Sequence, residues 1–184
     1  MVWVWIAYSL EPVHIVNINA SHHAISSRLL GSNRWCLHGT GSTGTYVLGR
    51  LNSVRVCKLG DDPGLIAFAT YLQRRSWVSC LPRVFGIAKG TYIAKGTHTV
   101  SWTGLWCERL APISRNQAAA WSKWITLWKN TRGSPQTDPF DAAVVLNELR
   151  IFSKKRTLGL DVLSSNNVMC RPGTNSLVFS DPLS

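Results

Sequence analysis

"GTGSTGTYVLGRLNSVRVCKLG", residues 39–60, decides how the rest of the chain is read. Gly39, Gly41 and Gly44 stand in G-x-G-x-x-G spacing, and glycines so placed let a backbone fold close over phosphates and turn its N–H groups toward them. The same spacing suits an ordinary hairpin turn, so the context separates its uses. In a dinucleotide-binding fold the glycines run directly into a helix. Here Tyr46 and Val47 follow, and a second β-like run ends at Lys58. The stretch therefore reads as a hairpin lid followed by a strand carrying a lysine. From the end of V-x-V-x-K, that ammonium would point into a cleft beneath the lid and hold phosphate oxygens.

Outward from this hairpin the first half is mostly sheet with one helix. "DDPGLIAFATYLQRR", residues 61–75, predicts a helix of about three turns, because an aspartate followed by proline is a helix start. "LPRVFGI", "GTYIAKG" and "THTVSWTGLWCERL" read as short strands, rich in β-branched and aromatic residues and bounded by glycine. The opening "MVWVWIAYSL" reads as a strand over residues 2–8; Glu11 and Pro12 interrupt it too early for a bilayer span. Residues 12–34 carry no clear pattern.

The second half changes character. Ser114 with Gln117 forms a capping-box start, and Trp121, Trp124, Ile125 and Trp128 recur at helical spacing as a buried face. A second helix is expected from Asp138–Pro139, with Phe140, Val144, Leu149 and Phe152 on one side and the basic "KKR" at its negative end. A loop and two short strands joined by the turn "RPGTN" follow.

Composition bounds the function. A 45% hydrophobic content with nine tryptophans argues for a folded chain of 184 residues, one domain or two small lobes around a cleft. Twenty Lys and Arg against nine Asp and Glu leave a formal charge of +11, which favours nucleic acid, nucleotides or acidic protein surfaces as partners. Five cysteines with no C-x-x-C pair suggest neither a disulfide framework nor a zinc ribbon, and fit reduced thiols in a cytosol.

With so few acids, those near the C-terminus stand out. Asp161 and Asn166 are five apart on a loop after a helix, and Asp181 follows in "VFSDPL". Two hard oxygen ligands and one acid could meet a magnesium-bound phosphate there. The same residues also suit turn capping and a simple Asp-Pro turn.

Taken in order, these parts resemble the protein kinase family: glycine-rich hairpin, strand lysine, helix, strands, acidic hinge residue, two helices, a D-x-x-x-x-N loop and a metal-binding triplet. They stand here as Gly39 to Gly44, Lys58 in "VCK", "CERL" at 107–110, "DVLSSN" at 161–166 and "SDPL" around Asp181. The ending is similar to divergent kinase-like proteins of bacteriophages, in which "DPL" replaces D-F-G.

The resemblance implies an α+β, minimal bilobal kinase-like fold. Residues 36–110 would form an antiparallel-sheet N-lobe with one helix, 111–184 a reduced helical C-lobe, and 1–35 an extension with a strand covering apolar surface. It further implies that Gly39, Gly41, Gly44 and Lys58 hold ATP phosphates and that the backbone of Glu108 and Leu110 meets adenine beside Cys107. Asp161 would orient the attacking hydroxyl and accept its proton, while Asn166, or Asn167 as its alternative, and Asp181 would hold magnesium. The implied activity is phosphoryl transfer to serine or threonine of host proteins in the cytoplasm, the host's if the chain is phage-encoded.

The chain departs from the pattern in three ways. The helix after Lys58 has no glutamate to pair with it, only Asp61 and Asp62 ahead of the helix; Leu158, Gly159 and Leu160 replace the usual His-Arg before Asp161; and three residues follow Asp181, with no activation segment. A pseudokinase-like binding module that contacts a host protein, and a basic nucleic-acid-binding protein, therefore stand as alternative expectations.

Overall fold

The computed structural model describes residues 15–18, 20–32, 34–41, 44–94, 98–162, 167–174 and 176–184. The protein is α+β. Its main sheet has six strands: β1 (Ile15–Ile18), β2 (Cys36–Thr40), β3 (Tyr46–Gly49), β4 (Arg55–Gly60), β5 (Val84–Ile93) and β6 (Thr99–Glu108), in the order β1-β5-β6-β4-β3-β2. Strands β2 to β6 pair antiparallel, and β1 lies parallel to β5 at the edge. A second, three-stranded sheet joins β7 (Ala111–Pro112), β8 (Val168–Cys170) and β9 (Leu177–Phe179). Four helices complete the described residues: α1 (His22–Gly31), α2 (Pro63–Arg74), α3 (Arg115–Asn130) and α4 (Ala143–Lys154).

Strand alternation gives the main sheet two apolar faces, each with its own cover. On the inner face Val56, Ile87, Leu105 and Cys107 belong to one buried cluster with Leu65, Phe68 and Leu72 of α2, Trp121 and Ile125 of α3, and Leu146 and Leu149 of α4. A single core thus runs from the sheet through α2 into the helical half. On the outer face Leu48, Cys57, Leu59, Ala88 and Trp102 are buried under Ile25, Leu29 and Leu30 of α1. Trp102 fixes this cover by donating its indole N–H to the Ala20 carbonyl at 2.6 Å.

Local chemistry accounts for the helix starts. The Asp62 carboxylate accepts the Leu65 amide at 2.8 Å and Pro63 stands in the first turn, as the Asp-Pro pair predicts. Ser114 and Gln117 form the reciprocal capping box. The tryptophan stripe of α3 is buried, and Trp121 donates to the Val162 carbonyl at 2.7 Å.

Several expectations are corrected. "LPRVFGI" and "GTYIAKG" form one continuous strand, β5, with an irregularity between Val84 and Gly86, rather than two. The second helix begins at Ala143 and not at Asp138–Pro139, because Asp141 adopts φ +52° and breaks the first turn. Asp138 instead accepts the Ala143 amide at 2.7 Å. Val144 faces outward with 64% exposure, so the buried stripe is Val145, Leu146 and Leu149. The first half carries two helices, since α1 occupies part of the unpatterned stretch, and β1 is the described strand of the N-terminal extension. The strand expected over residues 2–8 lies outside the described residues.

Candidate functional site

Lys58 sits at the middle of β4, directly across from Val47 of β3 and Leu105 of β6, so all three share the inner face. One step along, Val56 pairs with Cys107 on that face. This apolar wall directs the lysine stem toward the C-terminal segment. Its ammonium donates to the Ser180 carbonyl at 2.7 Å and lies 3.5 Å from Asp181 Oδ2. Two residues separated by 123 positions of chain thereby meet.

The segment around Asp181 is braced on every side. Ser180 donates its amide to the Asn167 carbonyl at 2.8 Å, and Asp161 donates its own to the Pro182 carbonyl at 2.8 Å. Leu160 bridges Leu183, and Gly159 exchanges both backbone hydrogen bonds with Ser184. Asn167 closes the loop by donating its side-chain amide to the Asp161 carbonyl at 3.1 Å. From the other side, a Cβ at Gly64 would run into the Leu183 carbonyl, so α2 approaches this segment as closely as only glycine permits. Asp161, Asn167 and Asp181 are thus held in one place by backbone pairing. Asn166 lies outside the described residues.

The electrostatics of Asp181 are unlike those of an ordinary ion pair. Burial pushes its carboxyl pKa up; Lys58 opposes the rise, while the charges of Asp62 and Asp161 add to it. Oδ1 is out of reach of solvent and has no hydrogen-bond partner among the described residues. An unpaired anionic oxygen near two further carboxylates is the arrangement a divalent cation relieves. Among the described residues no group of three or more His, Cys, Asp or Glu is arranged to hold a metal ion. Magnesium needs less from a protein, because one or two carboxylates suffice when phosphate oxygens supply the rest. Asp181 Oδ1 is the oxygen of this site that could hold such a cation.

The glycine hairpin joins β2 to β3, and β3 lies beside the Lys58 strand β4. Gly39 pairs with Val47, next to a register shift between Leu37 and Gly39, and the turn is closed by Gly41 donating to Thr45 at 2.7 Å. Gly44 has φ +82°, a conformation that disfavours any other residue, while no atom lies within 4 Å of a Cβ built on Gly39. The space at Gly39 is open.

The two acids proposed to replace the missing helix glutamate do something else. Asp62 caps α2, and Asp61 lies 4.0 Å from the buried His22 imidazole and 3.4 Å from the Tyr92 hydroxyl. Neither forms an ion pair with Lys58.

At the exit of β6, Glu108 donates its amide to the Arg83 carbonyl at 3.0 Å, and its carboxylate is gripped by Arg171. Leu110 follows, half-buried, at the single passage of the chain from the main sheet to β7. Sequence reading missed Arg171, one of twenty basic residues with nothing in its spacing to distinguish it.

The fold is thus an α+β sheet-and-helix assembly in which Lys58 of β4 meets Asp181 of the C-terminal segment, with the glycine hairpin on the neighbouring strands. No protein-family profile matches the chain, and neither does any characterised protein.

Proposed function

We propose that the protein is a minimal kinase-like phosphotransferase, moving a phosphoryl group from Mg-ATP to serine or threonine hydroxyls of protein partners. The observation that carries this reading is the meeting of Lys58 and Asp181 at 3.5 Å, on the strand next to the glycine hairpin. It is supported by the backbone pairing of residues 159–161 with 182–184, which holds Asp161 beside that pair.

In this reading the Gly39, Gly41 and Gly44 backbone covers the phosphates, and Lys58 turns from the Ser180 carbonyl to the non-transferred ones. Asp181 Oδ1, with an asparagine of the 166–167 pair, would hold Mg2+. When bound, the ion neutralises charge on the phosphate oxygens. Asp161 orients the acceptor hydroxyl and takes its proton. Positioning and charge neutralisation dominate such transfer, so few groups suffice.

A second reading has its own observation. No acid on α2 pairs with Lys58, whose short bond is to a backbone carbonyl. This favours a kinase-like module that binds nucleotide and contacts a protein without turnover.

Both readings are tested by titrating Mg-ATP and following labelled phosphate into the protein itself or a mixed lysate. Turnover lost in Asp161→Ala, with binding lost in Lys58→Ala and Asp181→Ala, supports the transferase. Binding without transfer supports the module. Binding of unrelated DNA that falls steeply with salt, together with indifference to ATP, overturns both in favour of a nucleic-acid-binding protein.

A further inference from the structure

Arg171 has all three nitrogens of its guanidinium engaged. Nε lies 3.0 and 3.2 Å from the two Glu108 carboxylate oxygens and Nη2 2.7 Å from Oε1. Nη1 donates to the Ser79 carbonyl at 3.0 Å and Nη2 also to the Leu81 carbonyl at 3.1 Å. Both side chains of the pair are almost wholly buried, at 11% and 12% exposure. The indole of Trp77 lies 5.3 Å from the guanidinium and donates to the same Leu81 carbonyl.

These contacts gather three pieces of chain: the end of β6, the 77–81 loop between α2 and β5, and the start of the turn between β8 and β9. The register of β7 on β8 pairs Ala111 with Cys170, which carries Leu110 opposite Arg171 one step further on. Arg171 therefore braces Glu108 directly, two residues ahead of Leu110. A planar fork is suited to this task because it fixes direction as well as charge, which a lysine cannot do.

We infer that Arg171 is a positioning residue for the base-binding end of the nucleotide site, acting through Glu108 to set the path of residues 108–110. The inference rests on the nucleotide reading above. It separates two ends of one ligand: Lys58 and Asp181 at the phosphates, and the Arg171-braced strand exit at the base.

The test compares Mg-ATP with Mg-tripolyphosphate, which has the phosphates but no base. In Arg171→Lys and Glu108→Gln, each checked for folding by circular dichroism, Mg-ATP affinity is expected to fall about tenfold while Mg-tripolyphosphate binding stays within about twofold. In the unaltered protein, ATP but not tripolyphosphate should slow hydrogen exchange over residues 77–81 and 106–111, a readout that needs no variant. Equal losses for both ligands, unchanged ATP affinity, or equal protection by both overturns the inference alone. If the unaltered protein binds neither ligand, the nucleotide reading falls and this inference with it.

Discussion

Two charge pairs join the main sheet to the C-terminal segment, and they are built in opposite ways. Arg171 and Glu108 meet at 2.7 Å, nearly out of water, with two further guanidinium N–H groups on the Ser79 and Leu81 carbonyls. Lys58 and Asp181 meet at 3.5 Å, with one carboxylate oxygen buried and unpartnered. A buried pair repays its desolvation only when its remaining hydrogen-bonding groups are satisfied. The first pair meets that condition and serves architecture; the second does not, and retains an unmet demand for positive charge. In the proposed reading, that contrast assigns the chemistry to Asp181 and the scaffold to Arg171.

The sharpest way to break the comparison is Glu108→Ala, which leaves a buried guanidinium without its anion. Stability is expected to drop by about 3–5 kcal/mol, a fall in Tm on the order of 10 °C by thermal melting. A loss below about 1 kcal/mol would make the two pairs equivalent. Gly64→Ala comes next. An alanine in a helix normally stabilises by up to about 1 kcal/mol, but here its Cβ meets the Leu183 carbonyl, so a loss of about 1–3 kcal/mol is expected in denaturant titration.

Asp181→Asn should go the other way and raise Tm slightly, by about 1 kcal/mol of stability, while abolishing magnesium-dependent nucleotide binding. The sign follows from its pKa, which lies above the ordinary 3.8 in the folded protein. The folded state holds that proton more tightly than the unfolded chain. The group's contribution to stability is therefore gained as pH falls through the folded pKa and lost as pH rises above it. The asparagine variant should remove this dependence, and an Asp181→Asn protein that melts lower than the parent would contradict the contrast.

The smallest effect concerns the cover on the outer face. His22 is buried at the positive end of α1, and burial followed by the neighbouring His23 lowers its pKa below the ordinary 6.5, with Asp61 partly offsetting the shift. Its neutral form is the one that fits. Stability should be full above 6.5 and decline as pH falls below it, and His22→Phe should flatten that decline in melts taken across the range.

How legible the molecule was depended on the distance over which each signal acts. The Asp-Pro start of α2, the Ser114–Gln117 box and the tryptophan stripe of α3 were readable because caps and helical periodicity act within a few residues. The start of α4 was misplaced because Asp138 serves as a side-chain acceptor one turn before the helix, a use of Asp-Pro that sequence alone does not separate from a true cap. Helix α1 was missed because "HHAISSRLLG" has only three apolar residues larger than alanine, and its place comes from the outer face it covers.

At the site, the glycines and Lys58 stood out by local spacing, and Asp181 by its rarity in a basic chain. Nothing local assigned Asp61 to His22 and Tyr92, or Arg171 to Glu108. The sequence by itself determined a glycine hairpin, a lysine strand, amphipathic helices and the scarcity of acids, because each depends on neighbours along the chain. Only the tertiary structure decided which acid faces Lys58, which cation holds Glu108, and which carboxylate oxygen is left unpaired. Those choices follow from sheet order and the close approach at Gly64, where partners 63 to 123 residues apart along the chain share the same few buried charges.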